Sequence, residues 1–174
     1  MNEQIAILKE IYKGHLFWRR PLLHPYNEEE VCNMEVIGEF TFPPLMRWYL
    51  LNISREIACH SYRQTIEVNY KLNNNTYLTD DILAKKTIDH GDIIYINDED
   101  EAYYEQGTID IGTRGCDHEC YLVVKGLAHG MVLEREYDYT EFISLFDLLK
   151  KPNPLSSRQG NAAKDEELAV EKFK

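Results

Sequence analysis

The chain has 174 residues with a net charge of −11, 44% apolar and 11% aromatic. That length suits one domain, or one domain with a tail, and the composition is that of a globular protein rather than a disordered one. The acidic balance repels nucleic acid and anionic lipid, which excludes both as expected partners, and attracts cationic ones.

In chain order, residues 3–13 read as a helix, with Ile5, Leu8, Ile11 and Tyr12 on one face and Gly14 able to end it. Residues 15–40 read as irregular: Pro21, Pro25 and the run Glu28-Glu29-Glu30 argue for loop, with room for a short helix or strand near 28–40. Pro43-Pro44 opens a second helix, because a proline in the first turn removes an N–H that has no partner there. Leu45, Trp48, Tyr49, Ile53 and Ile57 carry its spacing across 44–58. Thr65 to Tyr70 alternates apolar and polar, as a half-buried strand does. Asn73-Asn74-Asn75 reads as a loop, and Thr79-Asp80-Asp81 as the cap of a short helix running to Lys86.

The second half is strand-rich. Ile93 to Ile96, Thr108 to Gly112, Cys120 to Val124 and Met131 to Glu134 each predict a strand. The third is apolar enough to be buried on both faces. Gly112-Thr113-Arg114-Gly115 and the stretch Gly126 to Gly130 read as turns, so an antiparallel meander is expected. A last helix follows: Asp138 and Glu141 are spaced as a cap with its reciprocal carboxylate, and Phe142, Leu145, Phe146 and Leu149 form an i, i+3, i+4, i+7 stripe. Lys150 and Lys151 suit its C-terminus, and Pro152 and Pro154 stop it. The expected architecture is α+β, a mainly antiparallel sheet packed with helices, as one domain over 1–150 with a polar, disordered tail over 151–174. Residues 1–150 hold 14 basic and 26 acidic groups, a net of −12, so the folded part carries the whole excess.

No apolar stretch approaches the roughly 20 residues of a membrane span. Met1-Asn2-Glu3-Gln4 opens no signal sequence, so the cytoplasm is the expected compartment. The four cysteines, Cys32, Cys59, Cys116 and Cys120, are too sparse for a disulfide scaffold and are expected as thiols there.

Cys116-Asp117-His118-Glu119-Cys120 places metal-ligand types within five residues, but zinc needs four convergent ligands, and a fourth would have to come from Cys32, Cys59 or His60. The simpler reading makes Cys116 and Cys120 small apolar residues at the ends of a hairpin. No nucleophile elbow, phosphate loop, dinucleotide fingerprint or His-Glu-x-x-His is present, so no catalytic residue, metal or cofactor is expected.

The sharpest local feature is the acidic run Asp98, Glu99, Asp100 and Glu101, with Glu105 shortly after and Asp110 on the next strand. Crowded carboxylates repel one another unless solvent, a metal or a cationic partner is near. The central glycine and terminal glutamate of a calcium loop are missing. Tyr103 and Tyr104 flank the run, and aromatics beside charge suit the centre of a protein interface, which the chain's twelve tyrosines also favour. A solvated loop is the plain alternative. The expected partner-binding set is therefore Asp98, Glu99, Asp100, Glu101, Tyr103, Tyr104, Glu105 and Asp110.

Residues 108–131 carry a longer pattern: a strand ending in Gly112, the pair Gly115-Cys116, the strand Leu122-Val123-Val124, a turn at Gly126, then Gly130 and another strand. With the Phe- and Leu-rich segment at 142–149 and the start Phe42-Pro43-Pro44-Leu45, this resembles the SUKH superfamily over about 42–150. That superfamily includes a yeast cell-wall assembly regulator and many bacterial immunity proteins. The sequence departs from its pattern at Asn52-Ile53-Ser54, where the family often has Asn-Gly. The resemblance implies an α+β domain that works without a cofactor, either as an immunity protein that neutralises a cationic polymorphic toxin such as a nuclease, or as a regulatory scaffold module. A metal-dependent enzyme built on Cys116, His118 and Cys120 is the remote alternative.

Overall fold

The computed structural model describes residues 1–13, 22–59, 62–69, 71–72, 93–95, 107–115, 118–126, 128–136 and 139–150. Helix α1 spans Asn2–Tyr12 and buries Leu8, as its periodicity predicts. Its Tyr12 hydroxyl donates to the Leu149 carbonyl at 2.8 Å, which ties the first helix to the last. The same ring meets Tyr49 edge-on at 5.4 Å.

Residues 28–38, where the sequence left room for a short helix or strand, form helix α2 (Glu28–Gly38). The reason is local. The Asn27 side chain accepts from the Glu30 N–H at 2.9 Å while Glu30 accepts from the Asn27 N–H at 2.8 Å, a reciprocal cap. The three glutamates then sit in the first turn, where the helix dipole favours negative charge. Helix α3 (Pro44–Asn52) buries Met46, Tyr49 and Leu50 and stops six residues short of the expected end. Ser54 turns the chain: its buried hydroxyl donates to the Leu23 carbonyl and accepts from the Glu56 N–H, both at 2.9 Å. Ile57, which kept helical spacing, therefore lies in strand β1 (Glu56–Cys59), paired antiparallel with β2 (Tyr62–Thr65). Beyond β2 the expected alternation holds in burial, with Ile66 and Val68 inside and Glu67 and Asn69 outside, although no ladder extends there.

The main sheet is antiparallel throughout, in the order β3-β7-β6-β5-β4. Its strands are β3 (Ile93–Tyr95), β4 (Thr108–Gly115), β5 (His118–Val123), β6 (Met131–Glu136) and β7 (Tyr139–Ser144). Strands β4 to β6 form a meander as expected, but β7 continues it where a helix was expected, and β3, expected as its first strand, pairs with β7 at the far edge. Gly112 to Gly115, read as a turn, belong to β4: the ladder is irregular between Asp110 and Gly112 and again before Gly115, which pairs with His118. Gly112 has φ 139°, a conformation that side chains resist, so the bulge explains the glycine.

The last helix starts later than its stripe suggests. Residues 139–144 are strand β7, and helix α4 is only Leu145–Leu149. Ser144, not Asp138, caps it, accepting from the Asp147 N–H at 3.0 Å. A strand feeding a short helix satisfies the same i, i+3, i+4, i+7 spacing, but it puts Phe142 and Leu145 in different clusters.

The core joins helices and sheet: Leu8, Met46, Tyr49, Leu50, Ile57, Ile109, Leu122, Val132, Ile143 and Leu149 are each 3% exposed or less. β1 and β2 lie beside β4, and α4 packs on β1, β6 and β7. The fold is thus α+β, with the described helices packed on one side of an antiparallel sheet. The expected helix at 79–86, the cap at Asp138 and the tail over 151–174 lie outside the described residues.

Candidate partner-binding face

Side chains alternate across a strand, so the meander has two faces. The inner one carries Ile109, Leu122, Val132 and Ile143, aligned by pairing across β4, β5, β6 and β7. The outer one carries Asp110 opposite Tyr121, Tyr121 opposite Leu133, and Leu133 opposite Phe142. Glu119 and Arg135 pair on the same outer side. This face has an apolar half and a polar half. Val123, Leu133 and Phe142 are buried in a small cluster with Ala128, and Tyr121 and Met131 pack against it. Toward the β4–β5 end the polar set begins.

Tyr121 joins the halves. Its ring touches the apolar cluster, and its hydroxyl donates to Glu119 Oε2 at 2.7 Å. Arg135 Nη1 stands 3.5 Å from the same oxygen. Asp110 Oδ1 accepts the Gly112 N–H at 2.8 Å, so the β4 bulge aims a backbone donor at this carboxylate. Asp110 is exposed as a residue, yet the sheet strips part of its carboxyl's hydration and pushes its pKa up. The Gly112 N–H opposes that shift and the charge on Glu119 adds to it. The Tyr121 phenol is also raised, first by lost hydration and then by its hydrogen bond to Glu119. A nucleophilic or basic tyrosine needs the opposite shift, so Tyr121 keeps its proton at neutral pH and serves as a donor and an aromatic surface. The assembled chemistry is two carboxylates beside a half-buried tyrosine, with one guanidinium at the rim.

Of the residues expected to bind a partner, the structure places Asp110 in this set. Asp98, Glu99, Asp100, Glu101, Tyr103, Tyr104 and Glu105 lie outside the described residues, as does Cys116. Cys120 is fully buried on the inner face, where it behaves as a small apolar residue. Among the described residues no group of three or more His, Cys, Asp or Glu is arranged to hold a metal ion. Among them, too, no helix is long and apolar enough to cross a membrane.

Glu119, Tyr121 and Arg135 were missed from sequence. The first two had a usable signal, since residues i and i+2 of a strand share a face. Arg135 had none, because its place beside Glu119 comes from the β5–β6 register. Comparisons with protein-family models, with curated proteins and with solved structures gave no match.

Proposed function

We propose that the chain is a non-catalytic protein-binding domain that engages and neutralises a cationic toxin domain such as a nuclease. The observation that carries this reading is the outer face of the meander, where Asp110 and Glu119 flank Tyr121. A nuclease surface that grips phosphates is cationic, and carboxylates held on a sheet are able to occupy it. Opposite charge steers the encounter, toward ~10⁸–10⁹ M⁻¹s⁻¹ at low salt. Residence then depends on desolvated anchors, a role suited to Tyr121 here and to Tyr103 and Tyr104 beside the acidic run.

Two further points support the reading. Residues 1–150 carry a net −12, and the run Asp98 to Glu101 contributes four carboxylates to it. Gly112, Gly126 and Gly130 of the SUKH-like pattern all have positive φ, so each has a backbone reason to be glycine. Cytoplasmic action without cofactor or metal belongs to this proposal.

The test is affinity capture with the full chain at low salt, elution on a salt step, and mass spectrometry of what elutes. A basic nuclease-like toxin domain is the expected result. Changing Glu99→Gln, Asp100→Asn and Glu101→Gln together should then weaken binding and flatten its salt dependence. Partners without toxin domains would replace this reading with a regulatory scaffold. Stoichiometric zinc in the purified chain, lost on Cys116→Ser, would replace it with a metal-dependent enzyme.

A further inference from the structure

We draw no further inference here: the strongest candidate, the buried carboxylate of Glu134 on the inner face of the meander between Cys120 and Glu141, is engaged within the chain, and among the described residues no group of three or more His, Cys, Asp or Glu gathers there to hold a metal ion.

Discussion

The two faces of the β4–β7 meander are made by the same strands and differ by one residue in phase. The inner face is apolar along Ile109, Leu122, Val132 and Ile143, carries the buried Glu134 between Cys120 and Glu141, and seats the helices. The outer face begins apolar, at Val123, Leu133 and Phe142, and ends in Asp110, Glu119, Tyr121 and Arg135. Folding accounts for the apolar residues of the first set. It accounts less fully for the second, where two carboxylates stand near one another although each is held by hydrogen bonds within the chain. The polar half of the outer face is therefore where function has to be sought.

The sharpest break of that comparison is truncation in the apolar parts. Leu122→Ala should cost about 2–5 kcal/mol and Phe142→Ala about 3–5 kcal/mol, measured by urea unfolding. A loss under 1 kcal/mol at Phe142 would mean that the outer cluster is only a covering and not part of the core.

Next in size is the polar half itself. Asp110→Asn with Glu119→Gln should weaken binding of the captured basic partner about tenfold, with a flatter salt dependence, while the unfolding midpoint barely moves. A large stability loss with unchanged affinity would reverse the roles assigned to the two halves.

Removing the Ser144 cap tests whether the strand-to-helix switch is locally encoded. Ser144→Ala should cost about 1 kcal/mol, from the lost bond to the Asp147 N–H. An equal loss for Asp138→Ala would instead favour the earlier helix start.

The smallest effect is in pH. The Asp110 carboxyl titrates above its ordinary range, so the folded chain holds this proton more tightly than the unfolded chain does. Its ionised form is then a slight cost to the fold near neutrality, a cost that fades as pH falls through the raised value. Asp110→Asn should accordingly gain at most a few tenths of a kcal/mol near neutral pH, after allowance for solvent screening, and nothing in acid. A gain that persists in acid would assign the effect to packing rather than charge.

The amino-acid sequence by itself determined the α+β class, the first helix, the approximate start of α3 and the strands β3 to β6. These follow from short-range signals: periodicity, Pro43-Pro44, and glycines whose positive φ the chain needs. It also singled out Asp110 as a carboxylate on a strand. A local signal also made the run Glu28-Glu29-Glu30 a helix start, because Asn27 and Glu30 cap each other. Tertiary structure decided the rest. Ile57 left its helical register because Ser54 bonds to Leu23, far away in sequence. Residues 139–144 became a strand because β6 was there to pair with them. Glu119, Tyr121 and Arg135 came together only through register. Local preference is worth a fraction of a kcal/mol per residue, whereas pairing a strand or burying a large side chain is worth more, so where the two compete, the distant partner wins.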